Sequence, residues 1–216
     1  MNEILLAIVE GVTAFAATNV DDLIILLLFF AQTNATFRAH HIVSGSYWGF
    51  AAIVAFSLVG FFGGLVVPSA WIGLLGFLPI ILGIKQLMQR EQEDAQVQAV
   101  TNDVFSKPNY PPFIAGVLKL LHPQAYKVAA VTLANGGDNV GIYVPLFAAS
   151  NAITLGVILI VFFLMLGVWC YIAYRLAQNP SIARVLTQYG DSVVPFVLIG
   201  LGLFILWKSG TFGLLI

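Results

Sequence analysis

Charge is scarce in this chain. Nine Lys and Arg and ten Asp and Glu among 216 residues amount to 9%, against roughly 25% in an ordinary soluble domain, so a water-facing surface of normal polarity cannot be assembled from it. A net charge of -1 leaves neither the basic stripe that nucleic acid requires nor an acidic tail. With one cysteine, Cys170, no disulfide can close within the chain and no CxxC or thiolate metal cluster can form. A GxxxxGK[ST] phosphate loop is also missing, which leaves an ion gradient as the energy source for any work done.

What is abundant is hydrocarbon: 60% of residues are hydrophobic and the mean hydropathy is +0.95. Apolar runs recur at 4–32, 42–66, 70–89, 124–149, 152–177 and 190–214, each long enough to cross a hydrocarbon core ~30 Å thick. The expectation is an all-α integral membrane protein of six transmembrane helices forming one domain, 1–216. Ile4 to Val9 followed by Ala14-Phe15-Ala16 superficially resembles a signal peptide. No Lys or Arg precedes that run, Glu10 interrupts it, and it continues to Ala31, so it reads as a retained first span. The stretch 90–112 is the one long polar loop and divides a first half, 1–89, from a second, 113–216. Arg38, Arg90, Lys107, Lys119, Arg175 and Arg184 lie in or beside the first, third and fifth loops. The positive-inside rule makes those loops cytoplasmic and both termini external. Trp71 and Trp207 then fall near the outer interface, with Trp48, Tyr171 and Tyr174 near the inner one.

The two halves echo each other. Ala17-Thr18-Asn19-Val20-Asp21-Asp22 aligns with Ala134-Asn135-Gly136-Gly137-Asp138-Asn139, and Pro79-Ile80-Ile81-Leu82 with Pro195-Phe196-Val197-Leu198. A three-span half must have its copy inserted upside down, so the expected architecture is two inverted three-helix repeats.

Asp21 and Asp22 lie near the middle of the first run, and Asp138 near the middle of the fourth. A charge at that depth costs at least ~2.5–3.5 kcal/mol, so it faces a bundle interior and has a partner or a ligand. Matching acids in two repeats point to one shared site. Asn19, Asn135, Asn139, Thr18 and Thr132 surround them, and carboxylate, amide and backbone oxygens are what a hard or divalent cation takes in place of water. Gly136 and Gly137 would let the helix unwind there, so the first and fourth helices are expected to be broken near mid-membrane. The other reading of these polar residues is that they cap a broken helix. Glu10, eleven residues before Asp21, returns to within ~20° of the same face of a regular helix, as a proton relay or as an interfacial acid. His40, His41 and His122 could gather metal at the inner entrance or be solvated there. Gly45, Gly49, Gly60 and Gly64 form two GxxxG spacings suited to close helix packing.

TNVDDLIILLLFF (18–30), TLANGGDNVGIYVPLFA (132–148) and FLPIILGIKQL (77–87) closely resemble the CadD-type cadmium-resistance transporters of the lysine-exporter superfamily. The resemblance implies an efflux carrier for divalent heavy-metal cations, chiefly Cd2+, in a bacterial cytoplasmic membrane, with motif positions Asn19, Asp21, Asp22, Asn135, Asp138 and Asn139. It implies no cofactor and no enzymatic activity: the metal is substrate. Protons are the simplest coupling ion, the lipid bilayer is the surrounding partner, nucleic acid is excluded, and a homodimer is left open. The residues themselves suit Mn2+, Ca2+ or Zn2+ as well as Cd2+, because cadmium favours thiolate and Cys170 is far in sequence from either motif. A cation exchanger or channel and, more remotely, an intramembrane aspartyl protease using Asp21 and Asp138 as acid and base are the alternatives.

Overall fold

The computed structural model describes residues 2–88, 122–178, 195–209 and 211, and every regular element among them is helical. The polar loop 90–112 and the half boundary at 112–113 lie outside the described residues, as do Arg90, Lys107, Lys119 and Arg184.

Helix α1 (Asn2–Thr18) is followed at once by α2 (Val20–Ala31), and the pair bends by 60° at Asn19. α3 (Ala39–Gly64) is an unbroken helix of 26 residues. The third apolar run departs from the single helix expected of it. It forms a short α4 (Ser69–Ile72), a 3-10 turn at Gly73–Gly76, and α5 (Phe77–Met88). Two glycines of low helix propensity bound that turn, and Pro79 lacks the N–H that would bond back to Leu75 in a continuous helix. The second half contains α6 (Pro123–Asn135) and α7 (Gly137–Ala148), separated only by Gly136. α8 (Ala152–Ala177), again of 26 residues, and α9 (Pro195–Lys208) follow. Local chemistry starts these helices: Pro123 occupies the first turn of α6, where its missing N–H is harmless. The Asn151 side chain accepts from Thr154 N at 2.8 Å to cap α8.

α3 and α8 are each long and apolar enough to cross a membrane, and the bent α1–α2 pair is a third candidate span. Among the described residues the other apolar runs form shorter helices, so helix length there supports up to three of the six expected crossings. Outward-facing side chains fit this setting. Ile4, Leu5, Val9, Phe56, Val59, Phe62, Ile153, Ile160 and Leu164 are exposed, an apolar surface far too extensive for water but suited to lipid. Trp48, Trp71, Tyr171, Tyr174 and Trp207 are exposed among them. The chain is an integral membrane protein.

The long helix of each half packs on the broken pair of the other. α3 lies along α6 and α7, and α8 lies along α1 and α2. Small residues make this approach possible. A Cβ added at Gly49 would sit 2.7 Å from the Ala129 carbonyl oxygen and from Thr132 Cβ, and one at Gly60 or Gly64 would collide with the carbonyl of Val144 or Ala148. Gly45 meets Ala125 in the same way, so both GxxxG spacings are packing seams. Between the seams sits an aromatic core of Phe15, Phe50, Tyr143, Phe147 and Phe162, all fully buried. Phe15 and Phe50 stack edge-on at 5.6 Å, and Tyr143 and Phe162 approach to 4.6 Å. At one edge Glu10 of α1, 4% exposed, receives the Lys208 ammonium of α9 on both carboxylate oxygens at 3.0 Å.

Gly49→Leu overpacks the α3–α6 seam and should destabilise by at least ~1–3 kcal/mol, read as loss of monodisperse protein in detergent. Gly63→Ala, where an added Cβ meets nothing within 4 Å, should behave as wild type. Glu10→Gln leaves the Lys208 charge beside a buried neutral group and should lower the melting temperature, whereas replacing both residues by leucine should recover most of the loss.

Candidate functional site

Both helix breaks open onto one cavity of about 60 Å³, several times the ~10–15 Å³ that a single water needs. Its polar wall is Thr18 from the end of α1, Asp21 from α2, Asn135 from the end of α6, Asp138 and Asn139 from α7, and Lys85 from α5. Ala17, Leu82, Ile142 and Leu198 supply the apolar remainder, so the closing helices α5 and α9 each contribute. Asp21 and Asp138, drawn from opposite halves of the chain, therefore face the same small space. Each stands in the first turn of a helix, where the positive end of the peptide dipole favours a carboxylate.

The first break is built around Asn19. Its backbone ladder is kept, with Asn19 N donating to Phe15 O at 3.0 Å and Leu23 N to Asn19 O at 3.2 Å. The Asn19 carbonyl also accepts the Trp169 indole N–H from α8 at 2.7 Å. Its side-chain nitrogen donates to Phe15 O at 2.9 Å, and to Thr18 Oγ1 and the Tyr143 hydroxyl at 2.7 Å each. Thr18 Oγ1 and the Tyr143 hydroxyl lie 2.8 Å apart. Residues of α7 and α8 thus hold the bend of the first half in shape. Asn19 Oδ1 is left buried with no hydrogen-bond partner, and so is Asn139 Nδ2, an unusual condition for buried polar atoms.

The second break is a matter of space. Gly136 has an ordinary backbone conformation, φ -75° and ψ 10°, but a Cβ there would drive into the Ile53 side chain of α3. Gly137, expected to share this role, is the first residue of α7 and would meet nothing within 4 Å if given a Cβ. Only Gly136 is demanded by packing. The two breaks are tied directly: Asn135 Nδ2 donates to Asp22 Oδ1 at 3.0 Å, and Asp22 is 7% exposed. Asp22 therefore stands behind the cavity wall and holds Asn135, whose remaining polar atom is an acceptor oxygen.

Glu10 is placed elsewhere. The face-matching that aligned it with Asp21 assumed a continuous helix, and the 60° bend at Asn19 removes that alignment. Glu10 does not line the cavity and is engaged by Lys208. The three histidines do come together, His40 on His41 at 4.0 Å and His41 stacked on His122 at 4.2 Å between ring centroids. Nδ1 of His41 accepts from Arg38 N and Nδ1 of His122 from Gln124 N, so these rings serve the starts of α3 and α6. Among the described residues no three His, Cys, Asp or Glu side chains are grouped to hold a metal; any cation in the cavity would need amide oxygens beside the two carboxylates. Cys170 borders a separate apolar groove with Phe30, Val43, Tyr47 and Tyr174.

Lys85, Tyr143 and Trp169 were not singled out by sequence. Lys85 reads as a lysine near the end of an apolar run, the position of an interfacial anchor, and only its resemblance-bearing context GIKQL marked it.

The model of the family described as Cadmium resistance transporter matches residues 15–216. No curated protein and no solved structure matches the chain.

Proposed function

Because this chain belongs to the cadmium resistance transporter family, a family of transporters and not of enzymes, we propose that it exports a divalent metal cation bound between Asp21 and Asp138. The observation that carries this reading is the cavity itself, in which two carboxylates from different halves meet where two helices break. The side-chain oxygens of Thr18, Asn135 and Asn139, which line the same cavity, complete an oxygen set around the ion. Asp22 positions Asn135 and is no ligand.

Transport proceeds by alternating access. The halves are inverted repeats, each consisting of a broken pair, a 26-residue helix and a closing helix. The exchange of partners, α3 with α6 and α7, α8 with α1 and α2, supports a relation in which one half rocks against the other. Charge at membrane depth is costly, so metal release is accompanied by a compensating charge, with protons as the coupling ion. The membrane is the cytoplasmic membrane of a bacterium, and six crossings place both termini outside.

One observation favours a broader substrate than cadmium. The donors at the cavity are hard oxygens and the one thiol lies in another groove, so the site selects by charge and size more than by softness. Mn2+, Ca2+ and Zn2+ therefore belong in any substrate test.

Asp21→Asn and Asp138→Asn should each reduce metal efflux from proteoliposomes by about tenfold or more, a loss of at least ~1.4 kcal/mol of cation binding, while the protein remains monodisperse. Asp22→Asn, which can still accept from Asn135, should retain most activity. Efflux that persists in the Asp21→Asn/Asp138→Asn double variant would reject this site.

A further inference from the structure

We propose that the apolar groove beside Cys170 is a binding site for an anionic phospholipid, with an acyl chain lying in the groove and the phosphate on the Arg175 guanidinium. The groove has a volume of about 330 Å³, within the ~300–1,000 Å³ of sites that bury a small ligand. It shares no lining residue with the metal cavity. Its walls are Phe30 from the last turn of α2, Ala39 and Val43 from the start of α3, and Tyr171 and Tyr174 from the end of α8. All lie at one end of the bundle, the end whose loops the positive-inside rule places in the cytoplasm. The groove owes its depth to Gly167, where an added Cβ would stand 2.9 Å from the Tyr47 hydroxyl. That hydroxyl donates to the Phe163 carbonyl oxygen at 3.0 Å, so the phenol is spent on backbone and the floor presents hydrocarbon.

The mouth has a different chemistry. Arg175 Nε donates to the Tyr171 hydroxyl at 3.1 Å, and the guanidinium carbon stands 5.6 Å from the centre of the Tyr171 ring. A positive charge is thereby held against a wall residue of the groove, while the terminal nitrogens keep the planar fork that matches phosphate. Arg175 is exposed, and so is Arg38, which immediately precedes Ala39. Among the described residues no Asp or Glu lines the groove. The occupant follows from this pairing: the hydrocarbon wall suits an acyl chain, the guanidinium suits an anion, and an acidic phospholipid carries both. Tyr171 and Tyr174 are exposed beside it, as amphipathic rings are at headgroup level. Basic pockets between transmembrane helices on the cytoplasmic side are suited to acidic headgroups. A lipid seated here touches α2 and α3 of the first half and α8 of the second.

Native mass spectrometry of the full chain in detergent, with equal amounts of phosphatidylglycerol and phosphatidylcholine of identical acyl chains, reads the site. Wild type should retain phosphatidylglycerol at least about fivefold over phosphatidylcholine, the ~1 kcal/mol that one basic residue contributes. Arg175→Gln, at an exposed position, should cut that preference about fivefold, and Arg175→Lys should keep most of it. Val43→Phe fills the groove and should lose lipid of either headgroup while remaining monodisperse. Glycerol phosphate, a headgroup without chains, should not compete. Equal retention of the two lipids by wild type, an unchanged preference in Arg175→Gln or undiminished lipid on Val43→Phe would overturn the proposal. So would a lipid-free dimer that dissociates in Val43→Phe, which would assign the groove to a second copy of the chain. No arm of the experiment involves metal, so its result is independent of the cavity.

Discussion

Two carboxylates placed inside apolar helices set the terms for everything else in this protein. Asp21 and Asp138 cannot be left facing hydrocarbon. The fold answers by breaking one helix in each half and turning both breaks toward a common cavity. Each acid then stands at a helix start, with the peptide dipole in its favour. Thr18, Lys85, Asn135 and Asn139 complete the polar part of the wall.

That arrangement requires the halves to be interleaved. Glycines at 45, 49, 60 and 64 bring α3 within backbone contact of α6 and α7, and the opposite exchange puts α8 on α1 and α2. Cross-half hydrogen bonds then define the site: Asn135 to Asp22, Asn19 and Thr18 to Tyr143, Trp169 to the Asn19 carbonyl. The aromatic core of Phe15, Phe50 and Phe162 draws on both halves as well.

Glu10 shows where helical periodicity reaches its limit. Angular arithmetic along a helix is sound only while the helix is continuous, and the residue that breaks it, Asn19, was read as a ligand candidate. Glu10 turned instead to Lys208, a partner nearly the whole chain away. Gly137 is a milder case: the pair Gly136-Gly137 reads as one flexible joint, yet the side chain of Ile53 discriminates between the two.

The primary sequence determined what depends on composition and local pattern: a lipid-embedded helical protein, acids and amides at two matching points, and glycine spacings for close packing. These follow from solvation costs and helical periodicity, which act residue by residue. Tertiary structure alone decided that Asp21 and Asp138 share one cavity, that Asp22 stands behind it while Asn19 keeps an unpaired oxygen, and that Lys85 joins the acids. Those facts depend on distances between segments far apart in the chain, and no periodicity along a single helix encodes them.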